Sequence, residues 1–326
     1  MITFWFSVVV LAWVLFFVLE GFDFGVGLLG PVLGRDDHER GAAVRTIGPF
    51  WDGNEVWLVA AIGVTFAAFP AWYSALLSGL YLPMVVLLLL LAVRGVALEF
   101  RGKGDGERYR RRADAALAVS SLGIVGVWGA LLAAFAHGLA IDADGNVVGG
   151  GFDRTLGPVL TPAAGLGALA ALYAALLLGA TFLSLRTSGP LRRRARTLAR
   201  WLGTGGAVAL LVAGVSTGSG LTLVAAVLAF AAGLLARTGR EALAFAATAA
   251  GVAGAVIAVF TTRGPVVLHS TLDPAWALTR DSAAATPQAL ELITWAGLLI
   301  LPGVLAYQAY SYWVFRRRVA SERVPS

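Results

Sequence analysis

No cysteine occurs among the 326 residues of this chain. That excludes disulfides, iron–sulfur clusters and thiolate-held zinc or haem within it. Histidine and methionine are almost as scarce, with three and two copies, and one of the methionines is Met1. A redox metal bound by this chain would have few ligands to choose from. Charge is thin too: 13% of residues are Asp, Glu, Lys or Arg, against about 25% in a soluble domain. A phosphate-cradling loop is missing, because Gly25-Val26-Gly27 is not followed by a Walker or dinucleotide pattern. This argues against ATP-driven or nicotinamide chemistry. What is abundant is apolar surface: 58% hydrophobic residues and a mean hydropathy of +0.79. The 40 glycines suit helices packed closely in lipid. Composition therefore describes an integral membrane protein. The net charge of +6 does not point to nucleic acid, since the basic residues cluster in short loops, as membrane topology requires.

A membrane crossing takes about 20 apolar residues. Nine stretches qualify, at approximately 3–33, 50–70, 73–100, 113–137, 162–186, 197–216, 219–236, 241–261 and 289–314. The segment from Met1 to Leu19 lacks a basic n-region and a small-residue cleavage site, and reads as a first span, not a cleaved signal. Only Thr217-Gly218-Ser219-Gly220 separates the sixth stretch from the seventh, and a turn is expected there. Loops 34–49, 101–112 and 187–196 and the tail from Arg316 are rich in Arg, Arg237 and Arg240 flank a fourth link, and the loops between them are uncharged, acidic or mixed. That alternation places the N-terminus outside and the C-terminus in the cytoplasm. The expected architecture is all-α: a polytopic membrane protein of about nine transmembrane helices, two four-helix bundles plus one peripheral helix, in a single membrane domain over 1–326.

Acids inside apolar segments carry the chemistry. Glu20 and Asp23 lie three apart in the first span, hence on one helical face, and Gly21, Gly25 and Gly27 leave that face open to another backbone. This span is long for a straight crossing, so a tilt or a break near the glycines is expected. Trp51-Asp52-Gly53-Asn54-Glu55-Val56-Trp57 opens the second span just after Pro49. Asp52 and Glu55 in a first turn are favoured by the helix dipole, and Trp51 and Trp57 suit an interfacial belt. That bland account covers Asp52 cheaply. It does not explain why Asp23, Asp52 and Glu99 recur on three spans at similar depth, which suggests an entry for protons or cations. Arg94 is deep enough to need a counter-ion from Asp23, Asp52 or Glu99, unless it snorkels to the surface. His38, His137 and His269 fall in loops or at helix ends and do not pair at ligand spacing. The aromatic runs Phe4-Trp5-Phe6 and Tyr307, Tyr310, Tyr312, Trp313 read as interfacial belts.

Gly21-Phe22-Asp23-Phe24-Gly25-Val26-Gly27 and Trp51-Asp52-Gly53-Asn54-Glu55-Val56-Trp57-Leu58 resemble the two signature stretches of subunit II of cytochrome bd-type quinol oxidases. Phe66-Ala67-Ala68-Phe69-Pro70, Ser78-Gly79-Leu80-Tyr81, Arg94, Glu99-Phe100-Arg101, Leu290 to Trp295 and Tyr310-Ser311-Tyr312-Trp313 follow in family order, while 113–260 is too rich in Ala, Leu and Gly to align by eye. The resemblance implies a nine-helix subunit paired with a haem-bearing subunit I of similar fold. Such a complex oxidises quinol at the outer side, reduces dioxygen to water and draws its chemical protons from the cytoplasm without pumping. Haems b and d would be ligated by subunit I, the quinol loop would belong to that subunit, and this chain would carry no catalytic residue. Asp52 and Glu99 would line a proton pathway with Asp23, Glu20 and Glu55, supported by Trp51, Asn54, Trp57, Arg94 and Arg101. Glu99 stands where some relatives have Asp. A structural quinone in this subunit, a small single-helix accessory subunit and bound lipid would also suit the family. Two other readings stay open on the residues alone: a proton- or cation-coupled secondary transporter, which would also use midplane acids, and a purely structural subunit.

Overall fold

A computed structural model describes residues 1–321. Its helices are α1 (Ile2–Leu33), α2 (Asp37–Ile47), α3 (Trp51–Ala68), α4 (Pro70–Gly79), α5 (Tyr81–Phe100), α6 (Glu107–His137), α7 (Gly151–Thr155), α8 (Pro162–Arg186), α9 (Gly189–Thr217), α10 (Gly220–Arg237), α11 (Glu241–Thr261), α12 (Arg280–Ala283) and α13 (Pro287–Val314). One short antiparallel pair, β1 (Val266–Leu268) with β2 (Leu278–Thr279), sits in the loop before α12. The fold is all-α and polytopic.

Among the described residues, eight helices are long and apolar enough to cross a membrane: α1, α5, α6, α8, α9, α10, α11 and α13. Nine crossings were expected, and the difference is α3. Its first five of 18 residues include Asp52, Asn54 and Glu55, which hold its apolarity short of that of a spanning helix. The expected crossing 73–100 is also divided, into α4 and α5. Pro83 is the reason: in one continuous helix its ring would collide with the carbonyl of Gly79, four residues back. The helix stops there and restarts after Leu80, at φ −121 and ψ 25. The basic segment 34–49, read as a loop, holds the amphipathic α2, capped by the Asp36 carboxylate accepting from the Glu39 N–H at 2.8 Å. Between α9 and α10 the expected turn is made by Gly218 at φ +67, a conformation that favours glycine.

α1 is the central post, touching α2, α3, α6, α8 and α11. It does not break at its glycines; it runs unbroken through them. Gly25 and Gly179 bring α1 and α8 into backbone contact: a Cβ on Gly25 would strike the Ala175 carbonyl oxygen and lie 2.8 Å from the Gly179 Cα. The small-residue seam therefore sets the spacing of these helices. Gly25→Val should cost about 1–3 kcal/mol by overpacking, read as a lower yield of folded protein in detergent, whereas Gly63→Ala, with open space around it, should be silent.

Around α1, helices α3, α5 and α6 form one group and α8, α9, α10 and α11 another, joined through contacts of α8 with α1 and α6. α13 is peripheral. It packs on α3, and only 6% of its apolar window is buried. The two ends of the molecule differ in chemistry. At one end the loops 138–161 and 262–286 lie together, with the Leu139 N–H donating to the His269 carbonyl at 3.0 Å and the Ser270 hydroxyl to the Ile141 carbonyl at 2.6 Å. At the other end lie the arginines of α2, α5, α6 and α9.

Candidate functional site

Three helices bring ionisable side chains into one buried place. α1 supplies Glu20 and Asp23, whose three-residue spacing puts both on the face toward α3 and α5. α3 supplies Asn54 and Glu55 from its first turns, and α5 supplies Arg94. Glu20, Asp23, Asn54 and Arg94 are all fully buried. Arg94 Nη1 stands 3.2 Å from Glu20 Oε2 and 3.7 Å from Glu55 Oε2, and its guanidinium lies 4.8 Å from the Phe24 ring centre. It is an internal cation, not a snorkelling one, and Glu20 is its nearest counter-ion. Burying it unpaired would be prohibitive.

Asn54 is the hub. Its Nδ2 donates to Asp23 Oδ2 at 2.7 Å. Its Oδ1 accepts from Gln308 Nε2 at 3.0 Å and from the Tyr312 hydroxyl at 2.7 Å, both on α13. The amide N–H₂ thus faces the carboxylate, and the amide oxygen takes both donors from α13. Asp23 Oδ1 and both Glu20 oxygens accept no hydrogen bond from the described residues. Three carboxyl groups thus face a single guanidinium, with lone pairs to spare.

Residues 1–315 match the family model described as "Cytochrome bd terminal oxidase subunit II". The chain belongs to that family. It is 38% identical to the cytochrome bd ubiquinol oxidase subunit 2 of Bacillus subtilis (strain 168), over 97% of this chain and 96% of the relative. Against the cytochrome bd-I ubiquinol oxidase subunit 2 of Escherichia coli (strain K12) the identity is 28%, over 95% and 92%. The fold is similar to the bd oxidase structure from Geobacillus thermodenitrificans, with a TM-score of 0.65, 22% identity, and coverage of 96% of this chain and 98% of the other. As a cytochrome bd subunit II, this is a component of a membrane oxidase and a multi-pass protein of the bacterial plasma membrane.

Not every residue expected to line a pathway joins this buried cluster. Glu99 is five residues beyond Arg94, about 140° further round the helix, and so faces outward, where it pairs with Lys103 at 2.6 Å. Asp52 is on the side of α3 away from Asn54, two residues and about 200° apart, and is exposed there. Arg101 is buried, but it belongs to a separate network. Its Nε donates to Asp114 Oδ1 at 2.5 Å and its Nη2 to Asp37 Oδ1 at 3.0 Å, while Arg40 Nε donates to Asp114 Oδ2 at 3.1 Å. This clamp ties α2 to α5 and α6. Beside it, Glu39 pairs with Arg194 and accepts from the Arg35 N–H at 2.6 Å. Burial works to raise the Glu39 carboxyl, yet these hydrogen bonds and the Arg194 charge outweigh it and hold it below the usual carboxylate range. Trp57 is a core residue, not a belt residue, and the Trp51 ring packs over Gly95 of α5. Gln308 and Tyr312 went unrecognised from sequence. Tyr312 read as part of a belt; the signal for Gln308 was a lone amide inside an apolar span.

The family's complexes are cytochromes, which raises the question of a haem held by this chain. His137 ends α6, His269 lies in the loop at the opposite end from the arginines, and His38 is on α2 among charges. No group of three metal-ligating side chains comes together among the described residues. These placements do not fit an axial pair in the membrane interior. A separate apolar cavity of about 380 Å³ lies between α1, α6, α8, α10 and α11, lined by Phe17, Phe24, Trp128, Leu132, Tyr173 and Val259 among others.

Proposed function

We propose that this subunit conducts protons from the cytoplasmic face toward the dioxygen-reducing centre of a quinol oxidase. Asp52 is the entry, Glu55 the relay and Glu20 with Asp23 the buried store. The observation that carries this reading is a line of acids running inward from the surface. Asp52 is exposed on one side of α3, Glu55 is 28% exposed, and Glu20 and Asp23 are fully buried. Asp52 and Glu55 are three residues apart, on neighbouring positions of the α3 surface. Dioxygen reduction to water consumes a proton for every electron, and a group that holds and releases a proton inside the membrane is what such chemistry draws upon. Arg94 keeps the store from carrying an uncompensated negative charge, and Asn54 holds Asp23 in place.

The haem ligands belong, on this reading, to a partner subunit I that this chain stabilises. The support is an uncovered apolar surface: Val56, Val59 and Phe66 along α3, Val86, Leu89, Val93 and Val96 along α5, and most of α13. A partner helix or lipid would cover it. The apolar cavity is of a size and lining to take an isoprenoid or acyl tail, where a structural quinone would lie. The gathering of arginines at one end supports the reading in which that end faces the cytoplasm and the N-terminus lies outside. A transporter acting alone finds no support in the grouping of acids toward the arginine-rich end.

The test is made in the assembled oxidase. Asp52→Asn and Glu55→Gln should each lower turnover several-fold at unchanged haem absorbance and subunit ratio, with Glu55→Gln the more severe. Wild-type turnover in both variants would leave these acids merely structural and end the proposal.

A further inference from the structure

α13 is the least embedded of the long helices, yet it carries the two donors that orient Asn54. Something other than apolar packing must hold its inner end in register. After Val314 the chain turns back across the α8–α9 junction. The Val319 N–H donates to the Arg186 carbonyl at 2.8 Å, and the Ser188 N–H donates to the Val319 carbonyl at 3.0 Å. Arg318 Nη2 lies 3.3 Å from Glu241 Oε2, whose other oxygen is held by Arg192 at 2.7 Å. The Ser321 hydroxyl donates to the Ser188 carbonyl and accepts from the Leu191 N–H at 3.4 Å, and both Ser321 and Glu241 are only 4% exposed. Arg186 in turn donates to the Phe315 carbonyl and lies over the Phe50 ring, and Phe50 stacks on Tyr312 at 4.4 Å with planes 7° apart.

We infer that residues 316–321 form a strap that holds Gln308 and Tyr312 on Asn54, making these two the positioning residues of the buried acid site. The strap anchors to α8, α9 and α11, whereas the main packing partner of α13 is α3. It acts at a distance on one hydrogen bond. With Gln308 and Tyr312 withdrawn, Asn54 Oδ1 loses both donors, its amide is free to turn, and Asp23 Oδ2 loses the donor that fixes it. The geometric part stands by itself. The effect on rate rests on the reading of Asp23 as a proton carrier.

The experiment uses the intact oxidase with five variants of this subunit: Arg318→Ala/Ser321→Ala, a truncation after Phe315, Gln308→Leu/Tyr312→Phe, the first combined with the third, and the conservative Arg318→Lys. Two readouts are taken at matched haem content: turnover with saturating quinol, and amide hydrogen exchange over residues 305–314. The strap variants should speed exchange there and lower turnover about fivefold, the rate equivalent of about one hydrogen bond. Gln308→Leu/Tyr312→Phe should lower turnover equally, the combination no further, and Arg318→Lys should restore both readouts. Unchanged exchange in Arg318→Ala/Ser321→Ala, or losses that multiply in the combination, would overturn the strap. Should the truncated chain fail to assemble, the point variants decide. Asp23→Asn run alongside separates the two ideas. Wild-type turnover there with raised exchange in the strap variants fells the pathway and keeps the strap. Collapsed turnover there with both readouts at wild type in the strap variants does the reverse.

Discussion

Asp23→Asn should cut dioxygen reduction by roughly tenfold to a hundredfold, at or just below the contribution of a positioned proton-transfer group, about 10²–10⁴-fold, with haem content and subunit pairing intact. The substitution is nearly isosteric. It keeps the acceptor for the Asn54 N–H₂, which stands 2.7 Å from Asp23 Oδ2, so the packing of α1 against α3 is preserved. What it removes is the exchangeable proton. Glu20 and Glu55 remain beside Arg94, so the guanidinium keeps its counter-ions and folding is spared. A loss of turnover without loss of complex therefore points to proton supply and not to assembly. Asp23→Glu, which keeps the chemistry and lengthens the arm by one methylene, should recover part of the rate.

Arg94→Leu should fail in the opposite manner, by loss of the protein itself. The guanidinium is fully buried and within 3.7 Å of carboxylates on α1 and α3. Removing one partner of a buried ion pair costs about 3–5 kcal/mol, because the other charge is left uncompensated. Such a loss is a large share of a typical net stability of about 5–15 kcal/mol. Membranes carrying the variant should hold little assembled oxidase, measured as haem absorbance per membrane protein. The double variant Arg94→Leu/Glu20→Leu removes the nearest orphaned acid together with the cation and should recover much of the assembly. Recovery of assembly without recovery of turnover would separate the structural share of this cluster from its catalytic share.

The membrane class and most of the helices were plain in the sequence, because an apolar run of spanning length is the direct mark of a helix in lipid. The acids Glu20 and Asp23 were equally plain, since a carboxyl inside such a run stands out and their spacing fixes a common face. The facing of the other acids was not. Asp52, Glu55 and Glu99 lie near helix ends, where neither periodicity nor depth tells which way a side chain turns. The structure turned Glu55 inward and the other two outward. The split at Leu80 went unread because a proline three residues into a helix signals a start as readily as an interruption. Gln308 and Tyr312 lie more than 250 positions from Asn54 along the chain, and no local pattern links them. Arg101 is expected to support the pathway on the resemblance alone; its partners, Asp37 and Asp114, come from α2 and α6, and only tertiary packing brings them together.

On the proposed reading, the protons consumed at the haems pass through this subunit's buried acids. Its most direct test is the rate of proton uptake from the cytoplasmic side during a single turnover. The fully reduced oxidase, reconstituted in vesicles with its cytoplasmic side outward, is mixed with dioxygen in the presence of a membrane-impermeant pH-indicator dye, and wild type is compared with Asp23→Asn. In Asp23→Asn, haem oxidation should begin at the wild-type rate, then stall at the step that needs a proton, with the proton uptake reported by the dye slowed in parallel. Proton uptake at the wild-type rate in Asp23→Asn would contradict this reading and would place the proton route elsewhere in the complex.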